Sequence, residues 1–170
     1  MQFLASFVLS AMFMTTAFAQ RGVVAARASA DAAAPTCTPP LPPLNTWAEN
    51  RLTPVVTATN ATQLADAFAA FLSPDVSITL NGVATSSAAY QATRTKRGFS
   101  GTSTIQYLGS IAVPGKTNTS EEGTVCLYFN NIINGTTVTS GMNLVIRPDA
   151  SMNGSDTRLV QVLDQVLYGL

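Results

Sequence analysis

Histidine is absent from all 170 residues. Without an imidazole there is no His metal ligand, no histidine general base, and no side chain whose ordinary pKa lies near neutrality. Only two cysteines occur, too few for a zinc site built on thiolates. Charged residues are scarce at 11%, and nine basic side chains balance nine acidic ones. The basic residues are scattered, so the chain lacks the electrostatic footprint of a nucleic-acid binder.

Apolar residues are abundant by contrast, at 46%. The first of them form the uncharged run MQFLASFVLSAMFMTTAFA, residues 1–19, which closes on Ala17-Phe18-Ala19. That small-x-small ending is the mark of a cleavable secretory signal, although a basic n-region is lacking. A membrane anchor is the alternative. Its short length, the interruption at Thr15 and Thr16, and the lack of a stop-transfer charge cluster oppose it. Cleavage leaves about 150 residues, enough for one domain with a real core. The expected location is secreted and extracellular, with no membrane association after cleavage.

In an oxidising compartment Cys37 and Cys126 can pair. The closed loop of about 90 positions is worth ~4–5 kcal/mol in chain entropy. A reactive thiol is the alternative, but no neighbouring base supports it. Four sequons, at Asn60, Asn118, Asn134 and Asn153, suit the same compartment. The last three fall at expected hairpin turns.

Residues 20–43 are alanine-rich and then proline-rich (Pro35, Pro39, Pro40, Pro42, Pro43), which favours an extended arm over a helix. The folded domain is expected over residues 44–170. Leu44, Trp47, Ala48, Leu52 and Val55 recur at helical spacing, with Asn45 or Thr46 as cap and Pro54 ending or kinking the helix. Asn60 and Gln63 resemble a capping box ahead of the row Leu64, Phe68, Leu72, a second amphipathic helix. Ser73-Pro74 then predicts a turn, with Asp75 in it. Val76, Ile78 and Leu80 alternate as in a short strand. A third helix over 85–98 ends in Arg94, Lys96, Arg97 and Gly98. Basic residues suit a helix C-terminus and glycine the position beyond it; an anion site or a dibasic processing site is the alternative. From residue 101 the period becomes two. Strands are predicted over 103–113, 124–133, 137–147 and 157–168, with Asn134-Gly135 as a hairpin turn. Short connections predict an antiparallel meander. Helices first and strands later predict an α+β domain with its helices on one face of the sheet.

That order of elements, with the stretches LADAFAAFLSPDVSITLNG and NLVIRPDASMNGSDTRLVQVLDQVLY, resembles the nuclear-transport-factor-2-like superfamily and its SnoaL-like branch over residues 44–170. The resemblance implies a strongly curved antiparallel sheet folded around helices, a cone with an apolar cavity. Some members are isomerases, cyclases, dehydratases or epoxide hydrolases, and many only bind ligands or partners. Chemistry must therefore come from particular residues. Ketosteroid-isomerase-like members carry a carboxylate late in the opening strand, where this chain has Thr79-Leu80-Asn81, with no useful base. SnoaL-like cyclases and dehydratases depend on histidine. Limonene-epoxide-hydrolase-like members use two aspartates and an arginine. Asp164, within VQVLDQV, matches their terminal-strand aspartate, and an acid amid valines and leucines suits a general acid. The other two should appear as Arg-x-Asp on an earlier strand, but CLYFNN offers Tyr128 and Asn130. Arg147-Pro148-Asp149 reads as a strand exit. Asp164 is thus the single catalytic candidate, in an incomplete set.

Trp47, Tyr107, Tyr128, Asn130 and Asp164 remain as a candidate wall for a neutral, partly apolar molecule. The alternative is an ordinary core with satisfied polar ends, Asp164 being a hydrogen-bonded structural acid. Both phases of the last strand are apolar: Val160, Val162 and Val166 in one, Leu159, Leu163 and Leu167 in the other. Helices cover only one face, which predicts a homodimer through the outer face. The expectation is a secreted, disulfide-tied glycoprotein that binds a small apolar molecule or a partner without catalysis, and no cofactor or metal is called for. The alternatives are a divergent hydrolase or isomerase using Asp164, and an extracellular interaction protein with a filled core.

Overall fold

Helix α1 (Leu44–Thr57) places Leu44, Trp47, Ala48, Leu52, Val55 and Val56 on one buried face, the face that the helical spacing anticipates. The computed structural model describes residues 40–168, apart from 97, 100–101, 117–119, 151 and 153. Two local expectations for α1 are corrected. Its N-cap is Pro43, with no side-chain cap bond, so Asn45 and Thr46 lie inside the helix. Pro54 also lies inside rather than at the end. Proline removes one N–H from the ladder, but burial of Val55 and Val56 holds the last turn against the core. Hydroxyls add support: Thr53 Oγ1 donates to the Glu49 carbonyl (2.8 Å) and Thr57 Oγ1 to the Thr53 carbonyl (3.0 Å).

Helix α2 (Ala61–Phe71) starts as expected, with Asn60 Oδ1 accepting from the Gln63 N–H (2.9 Å). The returning arm differs from a standard capping box. Gln63 Oε1 accepts from the N–H and hydroxyl of Thr59, one residue before the cap. The chain passes directly into β1 (Leu72–Leu80). Ser73, Pro74 and Asp75 are therefore strand residues, not the expected turn. Asn81 and Gly82, both at positive φ (51° and 79°), form a tight turn into the short strand β2 (Val83–Thr85). Both central residues sit in the left-handed region, as an Asn-Gly hairpin demands. Helix α3 (Ser87–Lys96) and the strands β3 (Ser103–Pro114), β4 (Gly123–Ile133), β5 (Thr136–Pro148) and β6 (Arg158–Tyr168) complete the domain.

The six strands form one sheet in the order β2-β1-β6-β5-β4-β3. Strands β3 to β6 are the expected antiparallel meander, but β1 pairs with β6 in parallel. The sheet is mixed. Short-range turn signals reveal only neighbours in sequence, and the β1–β6 pairing joins the two ends of the domain. The β1–β6 ladder shifts register between Leu72 and Ser77, and within the meander two extra residues each add twist and bend their strand. Leu108 is passed over between the pairs Tyr107–Phe129 and Gly109–Tyr128. Gln161 is passed over between Val145–Val162 and Ile146–Val160. The second shift also reverses the alternation, so Val160 is buried while Val162 and Val166 are exposed.

The helices pack on the concave face, α1 against β3 and β4, and α2 and α3 toward β1. Trp47 meets Phe71 (centroids 6.4 Å apart) and Phe68 meets Tyr90 edge-on (5.8 Å). Each large side chain buried there stabilises by about 1.5–3 kcal/mol relative to exposure. Among the described residues no helix is long and apolar enough to cross a membrane.

Candidate functional site

The concave face is filled near Trp47 and hollow toward the C-terminal end of α1. A cavity of about 250 Å³ lies between Leu52, Val55 and Val56 of α1, Tyr90 and Arg94 of α3, Leu80 at the end of β1, and Phe129, Asn131, Met142, Gln165 and Leu167 of the sheet. Alternation explains the polar members: Asn131 shares the inward phase of Leu127 and Phe129, and Gln165 that of Leu163. Both amides are almost fully buried, and buried polar groups need partners. Tyr90 Oη donates to Gln165 Oε1 (2.6 Å), and Gln165 Nε2 donates to Ser140 Oγ (3.3 Å). Asn131 Oδ1 accepts from Ser103 Oγ (3.4 Å). A second cavity, of about 270 Å³, is lined by Leu64, Phe99, Ser103 and Ile133 and again by Val55, Val56 and Arg94. The Arg94 guanidinium bonds the Val55 and Val56 carbonyls through Nη2 (3.1 and 2.9 Å). It thereby caps α1 as well as ending α3.

Among the described residues neither lining includes a carboxylate. The described groups are amides, hydroxyls, a phenol and the Arg94 guanidinium. They can hydrogen-bond a polar atom on a ligand, but they include no proton acceptor suited to neutral pH. Among the described residues no group of three His, Cys, Asp or Glu is placed to hold a metal.

The five residues expected to form a ligand wall do not converge. Trp47 is core, 2% exposed, beside the guanidiniums of Arg158 (5.3 Å from the ring centroid) and Arg51 (5.9 Å). Its indole N–H makes no hydrogen bond among the described residues. Tyr107 is half-buried. Its hydroxyl donates to the Glu49 carbonyl (2.8 Å) and lies 3.1 Å from Thr53 Oγ1. Burial pushes this phenol up to about 12, against the lowering effect of the Thr53 bond. Tyr128, Asn130 and Asp164 lie on the convex face, each next to inward residues (Leu127, Phe129, Leu163) and so pointing the other way. This corrects their expected orientation. Asn130 bonds Gln106 (3.3 Å) and Thr139 (2.8 Å). Asp164 sits between Asn143 of β5 and Thr79 of β1. The candidate acid is thus separated from the cavity by the sheet itself. Asp149 ties strands together, accepting from Ser73 Oγ (3.1 Å) and Gln161 Nε2 (3.4 Å).

Sequence reasoning passed over Tyr90, Asn131 and Gln165, although parity with Phe129 and Leu163 signals the two amides. Cys126 is exposed on the convex face between Ile111 and Asn143; its expected partner, Cys37, lies outside the described residues. Of the sequon asparagines, Asn60 caps α2 and Asn134 occupies the exposed β4–β5 turn. Asn118 and Asn153 lie outside the described residues.

No protein-family model matches the chain, and no curated protein matches it. Solved structures do. An NTF2-like protein of unknown function, PA1314 from Pseudomonas aeruginosa, aligns at 15% identity and TM-score 0.53, over 73% of this chain and 94% of that one. Nuclear transport factor 2 from Cryptosporidium parvum aligns at 8% identity and TM-score 0.53, over 74% and 92%. A chain of the Mtr2–Mex67 M domain complex of C. albicans aligns at 12% identity and TM-score 0.50, over 74% and 94%. Three helices on the concave face of a curved mixed sheet, matched along nearly the whole length of these chains, establish that this protein has the nuclear-transport-factor-2-like fold.

Proposed function

We propose that the protein binds a small, uncharged, mostly apolar molecule in the cavity between α1, α3 and the concave face, without turning it over. The observation that carries this reading is the lining: aliphatic and aromatic walls, a short buried hydrogen-bonded chain from Tyr90 through Gln165 to Ser140, and no carboxylate among the described residues. Apolar walls with a few placed polar groups are what small-molecule sites consist of. The test is fluorescence of the neutral probe N-phenylnaphthylamine. Enhancement is expected with the native chain and is expected to vanish in Leu80→Trp, which adds bulk to the lining, in a variant that keeps its folded circular-dichroism spectrum. An absence of enhancement with the native chain overturns the reading.

The setting belongs to the same proposal. Residues 1–19 act as an export signal, Cys37 and Cys126 form a bridge, and Asn60, Asn118, Asn134 and Asn153 carry glycans outside the cell. The exposure of Cys126 and Asn134 supports access by a partner thiol and by a glycosylating enzyme. The α2 cap uses Oδ1 of Asn60, whereas a glycan occupies the amide nitrogen, so both can coexist. Mass measurement of exported material, before and after reduction and deglycosylation, tests all three.

A second reading, compatible with the first, is favoured by the convex face. Ile111, Val113, Tyr128, Val162, Val166 and Tyr168 are all exposed there, and large exposed apolar patches mark interaction surfaces. The Mtr2–Mex67 complex is an assembly involving a chain of this fold. For this chain we propose a second copy as the partner. A dimer at micromolar concentration that the double substitution V162K/V166K converts to monomer is the expected sedimentation result. A native chain that is strictly monomeric rules it out.

A further inference from the structure

We infer that the two cavities are one ligand site interrupted by the Arg94 side chain, and that Arg94 sets the longest molecule the site accepts. The inference rests on the ligand-binding reading above and adds the shape of the ligand: a straight, apolar chain with a hydrogen-bonding end.

The two hollows share three lining residues, Val55, Val56 and Arg94. The two valines belong to α1, whose backbone runs on through both regions. Arg94 comes from a different element, the last turn of α3. Its side chain crosses to the end of α1 and is held there by the Val55 and Val56 carbonyls. Those carbonyls lie in the last turn of the helix, where the ladder supplies no donor. Of the three shared residues, Arg94 is the one that reaches this place by hydrogen bonds from another element, so it is the one a substitution can withdraw without moving α1. Either hollow alone falls below the ~300–1,000 Å³ of small-molecule pockets, whereas the two together, on the order of 500 Å³, fall within it. The hollow beside α3 supplies the hydrogen-bonding end, since Tyr90, Asn131 and Gln165 line it. The other continues the wall with Leu64, Phe99 and Ile133, edged by the hydroxyls of Thr57, Ser103 and Thr104.

The experiment is displacement of N-phenylnaphthylamine by straight-chain alcohols from hexanol to hexadecanol, with native chain and with Arg94→Ala. Each methylene that enters an apolar cavity tightens binding about fourfold. Native affinity is expected to rise by that factor and then level off once one hollow is full. In R94A the levelling is expected several carbons later. If R94A loses its folded circular-dichroism spectrum, Arg94→Gln carries the comparison, because its shorter amide still donates to one α1 carbonyl. The same break point in native and variant chains overturns the inference, as does a native series that rises unbroken to hexadecanol. Probe binding in the native chain without displacement by any alcohol overturns it while leaving the cavity-binding reading standing. Failure of the probe itself to bind defeats that reading first.

Discussion

Removing the carboxylate of Asp156 will cost this fold more than removing the guanidinium it holds. Arg158 is 1% exposed and Asp156 23%. The pair is bidentate, Nε to Oδ1 and Nη2 to Oδ2, both at 2.8 Å. Arg158 Nη1 also donates to the carbonyls of Pro42 (2.9 Å) and Ser120 (2.8 Å). One side chain thus joins the segment before α1, the β3–β4 loop and the start of β6, and lies over Trp47. In D156A the guanidinium stays buried with its charge uncompensated, and breaking a buried pair this way costs about 3–5 kcal/mol. The two carbonyls still held place this case near 3 kcal/mol. In R158M the carboxylate left behind reaches water, and the methionine keeps much of the contact with Trp47. The loss is then mainly of hydrogen bonds to two carbonyls on residues that stay open to water, Ser120 exposed and Pro42 half-buried, so that rehydration holds it to about 1–2 kcal/mol together. The double variant should resemble R158M alone. Urea unfolding followed by the fluorescence of Trp47, the sole tryptophan, measures all four stabilities. Equal losses in the two single variants, or a larger loss in R158M, would refute this account of where the charge is buried. Acid offers an independent check. The Arg158 bonds hold the Asp156 carboxyl below its usual range. Its contribution is therefore present above the unfolded value of about 4 and is lost as pH falls through the lower folded value. R158M should flatten that acid limb.

The Tyr107 phenol supplies the opposite limb. Its folded value is raised to about 12 while an unfolded tyrosine ionises near 10, so its contribution is intact below about pH 10 and is lost as pH rises toward 12. Y107F should cost about 1 kcal/mol at pH ~8 and show a smaller further drop at pH ~11, read as urea midpoints. Y90F removes the donor to the buried Gln165 Oε1 and should cost about 1–3 kcal/mol; an unchanged midpoint would mean that this amide is satisfied without Tyr90. G123A brings a methyl against the Val113 carbonyl and within 2.7 Å of Leu44 Cδ1. It should lower stability by about 1–3 kcal/mol through overpacking, and the loss in G123A/L44A should be smaller than the sum of the two single losses, read as urea midpoints.

Much of the domain was legible because its signals are local. The burial of Leu44, Trp47, Ala48, Leu52 and Val55 follows from spacing, the α2 cap from Asn60 and Gln63, and the meander from period-two runs between turns. The alternative in which Pro54 ends α1 fails because propensity weighs a residue alone, whereas Val55 and Val56 are held by what they pack against. The missed Asn81-Gly82 hairpin had a usable signal, since the same dipeptide was correctly read at Asn134-Gly135. The site was less legible. The resemblance assigns Tyr128, Asn130 and Asp164 to the cavity, although their neighbours Leu127, Phe129 and Leu163 have the better claim to the inward phase.

The sequence by itself determined the elements other than β2, most of their boundaries to within a few residues, the apolar faces of α1 and α2, and the lack of histidine. Those properties depend on residues three or four apart on a helix, or two apart on a strand. Tertiary structure alone decided the parallel β1–β6 pairing, the two bulges that bend the sheet and turn Val160 inward, the burial of Arg158, and the reach of Arg94 from α3 to the end of α1. Each of these joins residues that are distant along the chain, and sequence periodicity carries no information about which distant partner a strand or side chain will meet.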